Sequence, residues 1–142
     1  MKSFTLRVGG EAGWGIATTA KVFASLCKNL GYQIFSSKDY ASQIKGGHNY
    51  HNVRFSSSSV NADVGGVDIL LAFDKTTLSE HLKYVKDDGI VLYDNKVSID
   101  EFDKSKKIFV SVNVVDVEKE LQKKNLRNTL FLGTLTKLLG LE

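Results

Sequence analysis

The chain has no proline, one cysteine and three histidines among its 142 residues. A single cysteine, Cys27, excludes an internal disulfide framework and any cysteine-held iron–sulfur cluster built by this chain alone. His48 and His51 are close in sequence but have no cysteine beside them, a poor ligand set for a metal. No apolar run approaches the ~20 residues needed to cross a bilayer, so no membrane span is read. The N-terminus enters a strand-like pattern directly, no signal peptide is read, and the expected address is the cytoplasm. A surplus of one charge is also missing: 19 lysines and arginines face 16 aspartates and glutamates, a net charge of +3. Scattered lysines balanced by acids argue against a nucleic-acid surface. The want of proline has no functional account.

What remains is an ordinary globular composition, 42% hydrophobic and 25% charged, in a length suited to one domain with a real core. Neither an internal repeat nor a domain boundary interrupts it. The most distinctive stretch is Val8-Gly9-Gly10-Glu11-Ala12-Gly13-Trp14-Gly15-Ile16, with four glycines in seven residues. It follows a strand pattern over residues 4–8 and precedes a helix over 16–30, whose apolar stripe is Ile16, Ala20, Phe23, Cys27 and Leu30. Glycines at such a corner uncover backbone N–H groups, and the helix start adds the positive end of its dipole. The pair suits a phosphate, although a tight turn without ligand has the same sequence signature. Gly31 closes the helix, and Cys27 on its apolar stripe reads as a packed, inert thiol.

Residues 32–37 form a second strand pattern. A right-handed crossover through the helix makes it parallel to the first. The following segment, Lys38-Asp39-Tyr40-Ala41-Ser42-Gln43-Ile44-Lys45-Gly46-Gly47-His48-Asn49, is polar, aperiodic and placed where α/β proteins carry binding groups. Residues 50–57 alternate as a strand with Tyr50, Asn52 and Arg54 on a polar face. The serine run 56–59 reads as a hairpin turn. Residues 67–73 are continuously apolar, the pattern of a strand covered on both faces. A helix over 76–85 capped by Asp74 or Thr76, a turn at Asp87-Asp88-Gly89, strands at 90–93 and 108–112, and helices at 115–122 and 128–139 complete the chain. The expected fold is a three-layer, Rossmann-like α/β domain with a largely parallel or mixed sheet flanked by helices.

Several chemistries fail on spacing. Gly10-x-Ala12-x-x-Gly15 has alanine where a dinucleotide fingerprint needs its middle glycine, although Asp39 stands where a ribose-binding acid falls. A free-standing module for NAD or a similar nucleotide remains the alternative reading. No Gly-Lys-Ser/Thr follows the glycines, and no serine sits in a G-x-S-x-G elbow. His81, among charged neighbours on a helix, reads as exposed. Lys45 and Arg54 offer an anion a point charge and a planar fork, which beside a glycine-rich helix start makes an anion-binding cleft.

Taken together, Gly10-Glu11-Ala12-Gly13-Trp14-Gly15-Ile16, Tyr40-Ala41-Ser42-Gln43-Ile44-Lys45-Gly46-Gly47-His48-Asn49 and Val53-Arg54-Phe55-Ser56 resemble the gamma domain of 2-oxoacid:ferredoxin oxidoreductases, the pyruvate and 2-oxoglutarate enzymes. Val67-Asp68-Ile69-Leu70-Leu71-Ala72-Phe73-Asp74 and Arg127-Asn128-Thr129-Leu130-Phe131-Leu132-Gly133 extend the likeness over nearly the whole chain. The resemblance implies oxidative decarboxylation of a 2-oxoacid to an acyl-CoA, with electrons passed to ferredoxin. It places thiamine diphosphate, Mg²⁺ and iron–sulfur clusters on partner alpha, beta and delta subunits or domains. A Gly-Asp-Gly…Asn thiamine-diphosphate motif is indeed missing here. This chain's share would be assembly, cover of the active site and coenzyme A binding, without catalytic or metal-binding residues of its own. The residues implied at a coenzyme A site are Gly10, Gly13, Gly15, Ser42, Gln43, Lys45, Gly46, Gly47 and Arg54. Residues 1–142 are expected to be a single gamma-type domain shortened at its C-terminal end, as a separate gamma subunit or the N-terminal part of a fused alpha subunit. Ala12, Trp14 and Lys45 depart from residues common in the family.

Overall fold

The computed structural model describes residues 3–37, 47–57 and 66–141. Ser3–Glu11 is the central strand, β1, and its alternation is literal: Phe4, Leu6 and Val8 are buried while Thr5 and Arg7 face the other side. The glycines at 9 and 10 continue this strand instead of ending it. Ile16–Asn29 is α1, whose stripe of Ile16, Ala20, Phe23 and Cys27 packs on the sheet. Gly31, at φ +93°, ends it with paired bonds, Tyr32 N–H to Cys27 O and Gly31 N–H to Lys28 O, both 3.0 Å. Burial pushes the Cys27 thiol up to about 11, so the expectation of an inert thiol holds.

The remaining elements are β2 (Gln33–Ser37), β3 (His48–Ser56), β4 (Val67–Ala72), α2 (Lys75–His81), β5 (Val85–Asp94), β6 (Ile108–Val112), α3 (Val114–Leu121) and α4 (Arg127–Leu138). They build one six-stranded sheet in the order β2-β3-β1-β4-β5-β6. β4 is parallel to β1, as are β5 to β4 and β6 to β5, whereas β3 is antiparallel to both β1 and β2. β1 and β2 therefore run in the same direction, as a crossover through α1 requires, but they do not pair. β3 lies between them because its register matches β1 along the full length, from Ser3↔Ser56 to Glu11↔His48, with Val53 and Phe55 delivered to the core.

One local expectation changes, and one falls outside the described residues. β3 runs through Ser56, and the hairpin turn expected on the serine run falls on Ser58 and Ser59, which are outside the described residues. Asp87-Asp88-Gly89 does not end a strand but makes a bulge inside β5, where residues 86–89 sit between the pairs Val67↔Val85 and Ile69↔Ile90. Asp88 takes a positive φ of 65° there, and its N–H donates to Lys106 O at 2.7 Å.

α1 and α4 cover one face of the sheet, and α2 with residues 97–102 covers the other. Ile69, Leu71 and Phe73 serve the first face while Leu70 and Ala72 serve the second, which is why the run reads as unbroken hydrophobicity. The rings of Phe23 and Phe55 meet edge-on at 5.1 Å, and those of Phe73 and Phe131 at 4.8 Å. Each such buried ring contributes about 1.5–3 kcal/mol over its exposed state.

Candidate functional site

After β1 the chain crosses to one side of the sheet, and after β4 it crosses to the other, with α1 and α2 on opposite faces. The carboxyl ends of β1 and β4 therefore diverge and leave a crevice, the usual ligand position in open α/β sheets. A cleft of about 300 Å³ opens there, lined by Glu11 at the end of β1, Gly47 and His48 at the start of β3, and Asp74 and Thr76 around the start of α2. Asp74 caps α2: its Oδ1 accepts from Thr77 N–H at 2.9 Å and Thr77 Oγ1 at 2.7 Å.

The glycines of the corner separate into two roles. A Cβ on Gly9 would sit 2.5 Å from Thr77 Cγ2, and one on Gly10 would sit 2.8 Å from Ile16 Cδ1 and 3.0 Å from Phe73 Cβ. Those two residues let helices seat on the strand, so Gly10 is a packing position. Gly15 is the N-cap of α1 at φ +79°, and the Asn128 side chain of α4 lies where its Cβ would be. At Gly13, φ +96°, a Cβ would meet nothing within 4 Å among the described residues. Among the described residues no side chain caps α1, and its first turn holds no acid.

Ala12 N–H donates to Gly47 O at 2.9 Å, so the end of the polar segment meets the glycine corner. Ser42, Gln43, Lys45 and Gly46 lie outside the described residues, as does Asp39. Arg54 does not reach the corner. It pairs across from Thr5, and its Nη2 donates to Ser3 Oγ at 3.4 Å. Since β3 starts beside Glu11 and runs antiparallel to β1, its later residues recede by ~3.4 Å each, which leaves Arg54 about 20 Å away.

The chain brings together instead a group that the sequence reading missed. Arg7 Nη1 donates to His81 Nδ1 at 3.0 Å, and His81 Nε2 lies 2.6 Å from His48 Nε2. Arg7 also donates from Nε to Asn52 Oδ1 at 2.6 Å, and its guanidinium sits 4.8 Å from the Tyr50 ring and 5.1 Å from the Tyr84 ring. Far from exposed, His81 is 5% accessible. It occupies the same flank of α2 as Thr77 and Leu78, which α2 turns toward β1 over Gly9. Guanidinium only donates, so His81 Nδ1 accepts, His81 Nε2 carries the proton, and His48 Nε2 accepts it. Burial foremost, then the charges of Arg7 and His48, hold His81 down to about 4 against the pull of Asp74. Burial also lowers His48, against Asp74 and Glu80. A protonated Nε2 is no metal ligand, and among the described residues no group of three or more His, Cys, Asp or Glu is placed to hold a metal ion. A signal was available in the sequence: Arg7 stands in the middle of a strand, where a charge needs a partner.

A second contact holds Trp14 of the corner. The Arg127 guanidinium lies 4.3 Å over the Trp14 ring, and its Nε is 3.7 Å from Oδ2 of the buried Asp94. Trp14 thereby ties the corner to the start of α4.

Residues 5–142 match the protein-family model described as pyruvate ferredoxin/flavodoxin oxidoreductase. The chain belongs to this family. The 2-oxoacid:ferredoxin oxidoreductase subunit alpha of a Sulfolobus species is 36% identical over 96 residues, which is 68% of this chain and 15% of that protein. The corresponding subunit of Saccharolobus solfataricus is 33% identical over 90 residues, 63% of this chain and 14% of that one. The chain thus spans about 15% of the length of the curated relatives it matches. Among solved structures, 2-oxoglutarate:ferredoxin oxidoreductase from Magnetococcus marinus, with 2-oxoglutarate, coenzyme A and succinyl-CoA bound, superposes with a TM-score of 0.85 at 25% identity, over 97% of this chain and 24% of that one. The gamma subunit of a keto/oxoacid ferredoxin oxidoreductase from Geobacter sulfurreducens gives 0.83 at 20% identity, over 99% of this chain and 78% of that one. That last likeness speaks for the fold alone, and it agrees with the expected α/β class. No helix among the described residues is long and apolar enough to cross a membrane.

Proposed function

We propose that this chain is the gamma-type domain of a cytoplasmic 2-oxoacid:ferredoxin oxidoreductase, an enzyme that decarboxylates a 2-oxoacid oxidatively to an acyl-CoA and passes the electrons to ferredoxin. The observation that carries the reading is the family match over residues 5–142. In this reading residues 1–142 form one domain that serves assembly and covers the active site. Thiamine diphosphate, Mg²⁺ and iron–sulfur clusters belong to partner subunits or domains, where they supply the decarboxylation and electron transfer. One cysteine, buried in the core, agrees with that division.

Coenzyme A is the ligand proposed for this chain, and the relative from Magnetococcus marinus has it bound. Its phosphates do not suit the cleft between Glu11 and Asp74, whose carboxylates repel them. They suit the opposite side of the corner, where Gly13 leaves the backbone open and the uncapped start of α1 adds its dipole. Lys45 is two residues from Gly47 in the chain, and Gly47 meets Ala12. The proposed contacts are Gly13, Gly15, Ser42, Gln43, Lys45, Gly46 and Gly47, without Arg54 and with Gly10 as support. A dinucleotide module fits less well: β3 separates β2 from β1, so the carboxyl end of β2 is not beside the glycine corner.

Reconstitution with partner chains carrying thiamine diphosphate and clusters tests this. Turnover is expected only in the mixture, and Lys45→Ala is expected to raise KM for coenzyme A about three- to tenfold with kcat retained, the loss of one charge-assisted contact. Turnover by the chain alone refutes the division of labour. An unchanged KM refutes the coenzyme A assignment, and tight NAD binding in calorimetry without a coenzyme A signal favours the dinucleotide module.

A further inference from the structure

At the β2 edge of the sheet, away from the crevice, α1 and β2 enclose a groove of about 630 Å³. Ala24, Tyr32 and Ile34 form its floor, where they pack against the core, and the exposed Lys21 and Lys28 stand on its rim. Among the described residues no carboxylate lines it. β2 pairs with β3 on one side only, so among the described residues its outer row of N–H and C=O groups has no strand partner. Natural edges are commonly protected by a charge pointing inward or a covering element. Here the charges stand beside the edge, on the helix above it.

We propose that this edge receives an extended acidic segment of another protein chain, which adds to β2 as a further strand and sets carboxylates against Lys21 and Lys28. The two lysines are seven positions apart on α1, which spaces them ~10 Å along the helix. Side chains on one face of a strand recur every ~6.8 Å, so alternate residues of a docked segment lie within reach of both flexible ammonium groups. The apolar floor takes the methylene stems of those same-face side chains, and the backbone bonds to β2 supply sequence-independent affinity. A second copy of this chain is the wrong occupant, because pairing two β2 edges brings four lysines together with no acid among the described residues of α1 and β2 between them. The proposal stands apart from the oxidoreductase reading and does not need it.

The test uses the full chain and two nine-residue probes, one alternating Glu with Val and one alternating Lys with Val. Backbone amide shifts and hydrogen exchange of Gln33–Ser37 are followed by NMR. The Glu probe is expected to shift and protect these amides, and the Lys probe to leave them unchanged. The double variant Lys21→Glu/Lys28→Glu is expected to bind the Glu probe about tenfold more weakly and to accept the Lys probe instead, from the modest worth of each exposed ion pair. Both lysines are exposed, and unchanged amide shifts in β4 and β5 verify that the variant folds. Three results overturn the proposal: no response of β2 to either probe, equal response to both, or β2 shifts that follow protein concentration without a probe.

Discussion

The burial of His81 beside Arg7 and His48 makes stability depend on pH in a fixed direction. In the unfolded chain His81 takes up its proton near pH 6.5; in the folded protein burial and the neighbouring Arg7 hold it down to about 4. Above pH 6.5 neither state is protonated and the contribution is complete. As pH falls from 6.5 toward 4, the unfolded chain binds a proton that the folded protein refuses, so stability declines by about 1.4 kcal/mol per pH unit, about 3 kcal/mol in all. His48 is lowered as well and adds in the same direction. Urea unfolding at pH 7.0 and pH 4.5 measures the loss, and His81→Gln isolates it from the background of carboxylates. Glutamine accepts from Arg7 and donates to His48 but does not titrate. The wild-type protein is expected to lose about 2–3 kcal/mol more than His81→Gln over that interval. Equal losses in the two proteins refute the reasoning, because the buried imidazole then carries no pH dependence.

Three further substitutions address the site. Gly15→Ala forces alanine into φ +79° and against Asn128, and is expected to cost about 1–3 kcal/mol in urea unfolding, with part restored by adding Asn128→Ala. Asp74→Ala removes the acceptor of two bonds at the start of α2 and leaves the buried Thr77 hydroxyl without it; a loss of about 1–2 kcal/mol is expected, and Asp74→Asn is expected to keep most of the stability. Arg7→Met keeps much of the side-chain bulk while removing the donor to His81, so NMR titration of the His81 imidazole is expected to move its pKa upward from about 4, since Arg7 is among the groups holding it down.

The apolar patterns were readable because they report burial, and burial is what separates the two faces of a strand or helix. Phe4, Leu6 and Val8, the stripe of α1 from Ile16 to Cys27, and the doubly covered run in β4 stand where periodicity put them, whereas Leu30, expected on that stripe, follows the helix and is exposed. Asp74 as cap and Gly31 as stop follow from local backbone chemistry, which needs no tertiary partner. The family was equally legible from two short stretches, and the match over residues 5–142 agrees. Polar side chains behaved differently. Arg54 looked like a ligand-binding cation because the direction of β3 is invisible in its own alternation, which reads the same parallel or antiparallel. His81 looked exposed because its neighbours along the chain are charged, whereas its neighbours in space are Arg7 and His48, 74 and 33 positions away.

Sequence alone therefore determined the class of the fold, the elements, the core and the family, since each rests on spacing along the chain or on local backbone preference. Tertiary structure decided which glycines are packed and which lies open, where the crevice is, and which charges meet in it. The physical reason is strand order: β3 enters antiparallel between β1 and β2, and that single placement carries His48 to the corner while taking Arg54 to the far end.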